Sequence, residues 1–105
     1  MITEEQVEKA VDYLRDSAES CAKARAERLY LDDFSRSLKA QIQAEYSSEP
    51  LGAQERHAYS DARYLAHLEG LKQAIYEDER GRFLREAALA KLEAFRTFSA
   101  NTRGA

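Results

Sequence analysis

The chain has 105 residues, of which 33% carry charge, and its formal net charge is −3. This length and composition predict one small, well-solvated domain, and no apolar run approaches the roughly 20 residues of a membrane span. The single cysteine, Cys21, has no second cysteine to bond with, so neither an internal disulfide nor a thiolate metal site is expected. We therefore expect a cytoplasmic protein that does not enter a membrane.

The first predicted element is a long helix over about residues 4–46. Its start is marked by "TEEQ", a capping-box pattern in which the hydroxyl of Thr3 and the amide of Gln6 cap the first turn. Apolar residues then recur every three or four positions, which is typical of a helix with one buried face. These residues are Val7, Val11, Leu14, Ala18 and Cys21, followed by Leu31, Phe34, Leu38 and Ile42.

The stretch "SSEPLG" predicts the end of this helix, because Pro50 disfavours helical geometry in the residue before it. A turn with a short helix is expected over residues 47–59. Ser60 is the predicted N-cap of a second long helix over about residues 61–99. The apolar stripe predicted for this helix is Tyr64, Leu68, Leu71 and Ile75, continued after a shift of one residue by Phe83, Ala87, Ala90 and Ala94.

Two long helices with one apolar stripe each predict an all-α fold, a coiled-coil-like antiparallel hairpin that forms a single domain over residues 1–105. In this hairpin residues 1–19, with six acids and two bases (net −4), lie beside residues 80–105, with six bases and two acids (net +4). The arginines near the end of the chain are thus predicted to pair with the acids near its start. Apolar residues off the main stripe predict a homodimer with a four-helix-bundle core, through Leu29, Tyr30, Leu84, Leu89 and Leu92.

Charged residues interrupt both stripes at the same level of the predicted hairpin. Arg25 and Arg28 stand in the first helix, and Asp78 and Glu79 stand opposite them in the second. One interpretation is a buried polar layer that fixes the register of the two helices. The other is that both helices rotate enough to leave these charges in water.

The sequence contains none of the usual catalytic motifs: no phosphate-binding glycine loop, no His-x-x-x-His pair, no Cys-x-x-Cys pair and no nucleophile elbow. We therefore predict no enzymatic activity, no cofactor and no metal site, and a surface or capping role for His57 and His67. Basic residues interleaved with phenylalanine in the second helix are one way to bind single-stranded nucleic acid. The candidate contacts are Arg82, Arg85, Lys91 and Arg96.

From about residue 55 onward the chain resembles a family of small helical proteins of temperate bacteriophages and prophages. The resemblance rests on "ERHAYSDARYLAHLEGLKQAIYEDE" and on the ending "AALAKLEAFRTFSANTR". The ending is similar to that family's Arg-Thr-x-x-Ala-Asn-x-Arg motif, with Phe95 where a tryptophan often stands. The matching positions are Arg96, Thr97, Ala100, Asn101 and Arg103. The resemblance implies a phage origin and a setting in DNA recombination or replication, and it supplies no catalytic residues.

These observations predict a non-enzymatic phage accessory protein in the host cytoplasm. It would act by contact with an unidentified phage or host protein, on the DNA-processing machinery. Two alternatives stay open at this point. The first is direct binding of single-stranded nucleic acid, which the negative net charge disfavours. The second is a small structural or assembly component of the virion.

Overall fold

The computed structural model describes residues 1–104, with helices α1 (Glu4–Asp16), α2 (Ala18–Ala44), α3 (Leu51–Ser60) and α4 (Ala62–Gly104). No strand occurs among the described residues, so the predicted all-α class is confirmed. Two compact units are present: unit 1 contains residues 1–23 and the chain from Glu79 onward, and unit 2 contains residues 24–78. Helices α2 and α4 each contribute to both units. The single domain over residues 1–105 stays a prediction.

Helix α1 begins at the predicted capping box. The backbone N–H of Gln6 donates to the hydroxyl of Thr3 (3.2 Å), and the backbone N–H of Thr3 donates to the side-chain oxygen of Gln6 (2.9 Å). The start of a helix leaves its first four backbone N–H groups without a partner inside the helix. The N–H groups of Thr3 and Gln6 are two of these, and both are satisfied here. The local prediction is confirmed in both of its hydrogen bonds.

The predicted first helix over residues 4–46 is not continuous in the structure. Ser17 lies between α1 and α2, and α2 ends at Ala44. At the interruption the guanidinium of Arg85 donates to the carbonyl oxygen of Leu14 (2.9 Å) and to the hydroxyl of Ser17 (3.1 Å). Arg85 of α4 thus binds a backbone acceptor and a side-chain acceptor at the end of α1. No local sequence pattern predicts this long-range contact.

The helices of unit 1 meet along a line of mostly small and polar side chains, here called the unit 1 seam. Cys21 is close to Gly81, and Arg85 binds Leu14, so one residue number falls as the other rises and the packing is antiparallel. A Cβ atom added at Gly81 would lie 3.1 Å from the sulfur of Cys21, which shows how closely the helices approach. The seam residues are Val7, Ala10, Leu14, Ser17 and Cys21 against Gly81, Arg85, Ala88, Leu92, Phe95 and Ser99.

Unit 2 has a true apolar core where α2, α3 and α4 meet. Ile42 and Ala58 are fully buried and Tyr64 is 8% exposed, with Leu38 and Tyr46 packed against them. Fully burying an isoleucine side chain contributes about 1.5–3 kcal/mol. The core therefore gives unit 2 its main apolar stabilisation.

The facing side chains of α2 and α4 in unit 2 are again antiparallel. Arg28 pairs with Asp78 (3.0 Å), and further along α2 the hydroxyl of Ser35 lies 2.8 Å from Nε2 of His67. The Ser35 hydroxyl also lies 3.2 Å from the carbonyl oxygen of Leu31, and which of Ser35 and His67 donates to the other depends on the tautomer of the ring. The helical hairpin predicted for the fold is confirmed inside each unit.

The start of α4 differs by one residue from the prediction. Ser60 is the last residue of α3, and its hydroxyl donates to the carbonyl of Arg56 (2.7 Å). Asp61 takes the extended backbone conformation between the helices, and its carboxylate accepts from the backbone N–H of Arg63 (2.7 Å). Asp61 is therefore the N-cap of α4. It stands immediately before Ala62, the first helical residue, and its carboxylate accepts from the backbone N–H of Arg63, which has no partner within the helix.

The apolar stripe predicted for the second half of α4 is wrong. Phe83, Ala87, Ala90 and Ala94 are exposed, whereas Ala88 is buried at 7% exposure. The inward positions of α4 keep their three-and-four spacing through both units, without the predicted shift of one residue. The inward face includes Gly81, Arg85 and Ala88, which are small or charged, so hydrophobicity does not distinguish it from the neighbouring face with Phe83 and Ala87.

Candidate interaction surface

Four large apolar side chains of unit 2 point outward and are here called the outward row: Leu29, Leu65, Leu68 and Ile75. They are 38–50% exposed. Leu65, Leu68 and Ile75 are separated by three and seven residues, so they lie on one side of α4. Leu29 and Ile75 each follow an inward position by one residue, which in antiparallel helices places them on the same side of the pair.

The outward row corrects two earlier assignments and leaves one in place. Leu68 and Ile75 were predicted in the buried stripe, but the inward positions beside them are His67 and Ala74. Leu29 was predicted to lie off the stripe, and it is 45% exposed. Sequence reasoning had not noticed Leu65. A seven-residue repeat anchored on small residues, rather than on leucines, was the signal that would have found it.

The predicted polar layer forms in part. Arg28 and Asp78 pair at 3.0 Å with side chains 26% and 14% exposed, so this pair is shielded from water on most sides. Glu79 pairs with Arg82 of the next turn (2.7 Å). Arg25 is exposed and, among residues 1–103, makes no ion pair within 4.0 Å. The structure thus brings Arg28 and Asp78 together and leaves Arg25 on the exposed side of α2. The role of the layer in fixing the register stays a prediction.

Three of the four candidate nucleic-acid contacts already hold protein partners. Arg82 pairs with Glu79, and Arg96 pairs with Glu93 at 2.7 Å. Arg85 is half-buried in the unit 1 seam, where it donates to the carbonyl oxygen of Leu14 and to the hydroxyl of Ser17. Lys91 is exposed and, within the described chain, has no ion-pair partner. The four residues therefore do not form a continuous free cationic track.

The predicted pairing between the two ends of the chain is also not what the structure shows. In the described part of the chain no ion pair joins the acids of residues 1–19 to the bases of residues 80–103. The charges are instead answered within each helix, as Lys9 is by Glu5 (3.4 Å) and Arg96 by Glu93. Exposed helical pairs three or four residues apart form at little entropic cost, although each adds only about 0.3–0.5 kcal/mol.

One charged cluster joins the end of α2 to the start of α4 in unit 2. The guanidinium of Arg63 donates to both carboxylate oxygens of Glu45 (2.8 and 3.0 Å) and to Asp61 (3.0 Å). These hydrogen bonds from Arg63 hold the pKa of Glu45 and the pKa of Asp61 below their ordinary values. The same bonds, first to Asp61 and then to Glu45, raise the pKa of Arg63. The cluster therefore holds the start of α4, where Leu65 of the outward row lies, against the residue that follows α2.

The two histidines occupy different settings. His57 stacks on Tyr46, with ring centroids 3.8 Å apart and planes 4° apart, and its Nε2 lies 2.7 Å from the carboxylate of Glu49. His67 lies inward on α4, against Ser35 and the ring of Phe34 (5.6 Å between centroids). His67 therefore helps to attach α4 to α2, and His57 attaches α3 to the connection that follows α2.

No three of the His, Cys, Asp and Glu side chains among the described residues come together in a way that could hold a metal ion. None of the four helices, as far as they are described, has the length and apolar character needed to cross a bilayer.

Comparison of the chain with protein-family models, with curated proteins and with solved structures finds no match. The geometry of the outward row and the contacts of the charged residues are therefore the observations on which a function can be argued.

Proposed function

We propose that this chain is a non-enzymatic accessory protein of a temperate bacteriophage that works by binding another protein. The observation that carries the proposal is the outward row, whose four large apolar side chains stay 38–50% exposed although unit 2 has an apolar core of its own. Complete burial of a leucine side chain from water contributes about 1.5–3 kcal/mol, and a partner could cover the 38–50% that these side chains still expose. A surface row of four such residues is typical of a protein-binding face.

The biological setting is the DNA-processing machinery of the phage or its host. This part of the proposal is supported by the sequence resemblance described above, through the ending with Arg96, Asn101 and Arg103. Direct nucleic-acid binding is the weaker alternative, because Arg82, Arg85 and Arg96 are already engaged with protein acceptors.

The experiment is quantitative capture from a nuclease-treated lysate of the bacterium that carries this sequence. The bait is the full chain, compared with a Leu65→Gln/Ile75→Gln variant and with Ala66→Gln, an exposed position on another side of α4. We expect a recombination or replication protein to be retained by the first and third baits and lost from the double variant. Identical capture by all three baits would contradict the proposal.

We also propose a homodimer, as the exposed leucines of unit 1 suggest. Leu84 is 41% and Leu89 is 54% exposed, but Leu92, which was assigned to the same face, lies half-buried in the seam. Light scattering at micromolar concentration should give about twice the chain mass of 12.0 kDa. A mass equal to that of one chain at every concentration would contradict the homodimer.

A further inference from the structure

Unit 1 carries a small concave site that neither the outward row nor the seam accounts for, here called the alanine notch. Its volume is about 230 Å³. Ala10 and Ala88 form its buried floor and Ala87 its edge, while Tyr13 and Leu84 stand on its two sides. The notch exists because alanines meet where the helices approach, and a tyrosine and a leucine project beside them.

Two lysines stand at the rim of the alanine notch. Lys91 is exposed, and the residues three and four positions away from it are alanines and a phenylalanine, none of which can neutralise it. No carboxylate of the described chain lies within 4.0 Å of its amine. Lys9 pairs only with Glu5 at 3.4 Å, and both side chains are more than 70% exposed, so this pair is weak and easily exchanged.

The acids of α4 nearest in sequence to Lys91 lie on other sides of the helix. Glu86 and Glu93 are five and two residues from Lys91, which places both more than about 120° away around the α4 axis. Asp12 lies closer to Lys9 but is held by Arg15 at 3.1 Å. The rim therefore carries Lys91, which has no carboxylate partner in the described chain, and Lys9, whose pair with Glu5 is exposed, over an apolar floor.

The size of the notch favours a side chain over a free ligand. Pockets for small molecules usually measure about 300–1,000 Å³, above the volume found here. A notch of 230 Å³ instead suits one large apolar side chain, the kind of anchor that dominates protein–protein contacts. The rim lysines then select acidic neighbours of that anchor.

We propose that the alanine notch binds an acidic peptide segment of another protein. The segment places one large apolar side chain between Tyr13 and Leu84 and sets carboxylates against Lys9 and Lys91. This inference rests on the proposed function and adds to it the chemistry of the partner. It uses unit 1, whereas the outward row belongs to unit 2.

A second copy of this chain is a poor occupant if the two notches face each other across a two-fold axis. Such an arrangement would bring four lysines together, two from each copy. A nucleic-acid strand would satisfy the lysines but would leave the alanine floor without an apolar partner. The acidic, apolar peptide satisfies both features.

The test uses the full chain and a labelled 14-residue helical peptide, with a central phenylalanine and glutamates three and four residues to each side. Fluorescence anisotropy measures affinity, and amide chemical shifts locate the site. We expect a dissociation constant below about 100 µM, and shifts centred on Ala10, Ala87 and Ala88. Peptides with the phenylalanine replaced by alanine, or the glutamates by lysine, should bind at least about tenfold more weakly.

Matched variants of the chain sharpen the test. Lys91→Glu should weaken binding at least about tenfold, whereas Lys72→Glu, the same change of charge in unit 2, should alter it less than about twofold. Ala87→Leu, at the exposed edge, should fill the notch and abolish binding, while Ala90→Leu, also exposed, should not. Circular dichroism of every variant checks that the helices are retained.

Several results would overturn the inference. They are no amide shift at 1 mM peptide, equal effects of Lys91→Glu and Lys72→Glu, or equal binding by Ala87→Leu and Ala90→Leu. Shifts of the notch amides by a 30-nucleotide single strand, but not by the peptide, would assign the site to nucleic acid. If the lysate experiment gives the expected result but the peptide does not bind, only the inference about the alanine notch is wrong. If the peptide binds but the Leu65→Gln/Ile75→Gln variant still captures the partner, only the role of the outward row is wrong.

Discussion

Unit 2 and unit 1 each contain antiparallel helices, but different interactions stabilise each unit. Unit 2 encloses Ile42 and Ala58 completely and nearly encloses Tyr64, whereas the described part of unit 1 has only alanines, Ala10 and Ala88, among its buried residues. In unit 1 the helices pack closely through small residues and add hydrogen bonds from Arg85. Apolar burial thus dominates in one unit, and close backbone approach with polar contacts dominates in the other.

The largest expected effect is on the core of unit 2. Ile42→Ala should lower the free energy of unfolding by about 3 kcal/mol, because it removes buried carbons and leaves a cavity. Leu14→Ala, in the half-buried seam of unit 1, should cost about half as much. Urea unfolding followed by circular dichroism measures both, and an equal or larger cost for Leu14→Ala would reverse the comparison.

The ion pair of Arg28 and Asp78 comes next. Either Arg28→Ala or Asp78→Ala should cost about 2 kcal/mol, because the remaining charge keeps only 14–26% exposure. Exchanging the two residues should recover part of this loss. Arg25→Ala, on the exposed side of α2, is the matched control and should cost less than about 0.5 kcal/mol. Equal costs for Arg25→Ala and Arg28→Ala would show that no shielded pair contributes.

The two glycines inside α4 distinguish the units directly. Gly70→Ala should raise the free energy of unfolding by about 1 kcal/mol, because alanine favours the helix and its Cβ meets nothing within 4 Å. Gly81→Ala should lose most of that gain against the sulfur of Cys21. In a Cys21→Ala background the gain should return. A full gain from Gly81→Ala alone would show that the helices of unit 1 are not in close contact.

A smaller effect is expected from pH on the cluster of Arg63, Glu45 and Asp61. Since the pKa of each carboxyl is lower in the folded chain than in the unfolded chain, ionisation of these groups stabilises the fold. Their contribution should be complete above about pH 5 and should disappear as the pH falls below about 4. Urea midpoints at pH 7, 5 and 3 should therefore fall less in Arg63→Gln than in the native chain. An identical fall in both proteins would exclude a role for this cluster.

The features predicted correctly from sequence are local or strongly apolar. The capping box of Thr3 and Gln6 depends on residues three apart, and Ile42 is a large apolar residue in a regular pattern. The inward face of α4 was assigned wrongly because Gly81, Arg85 and Ala88, which lie on it, are small or charged, so hydrophobicity does not mark them as inward.

The candidate surface was predicted less well, for the same physical reason. Leu68 and Ile75 are the same residue types that form protein cores, so their identity alone could not show that they face water. The role of Arg85 was hidden because its acceptors, Leu14 and Ser17, are about seventy residues away in the chain. Such contacts follow from the register of two helices, which the spacing of one helix does not determine.

The central claim is that the outward row serves a partner and not the fold. It is tested most directly by the unfolding free energy of the Leu65→Gln/Ile75→Gln variant, measured in urea at a concentration where the chain is monomeric. Both side chains are more than 40% exposed, so we expect a loss below about 1 kcal/mol. A loss of about 3 kcal/mol, equal to that of Ile42→Ala, would place these residues in the core and contradict the claim.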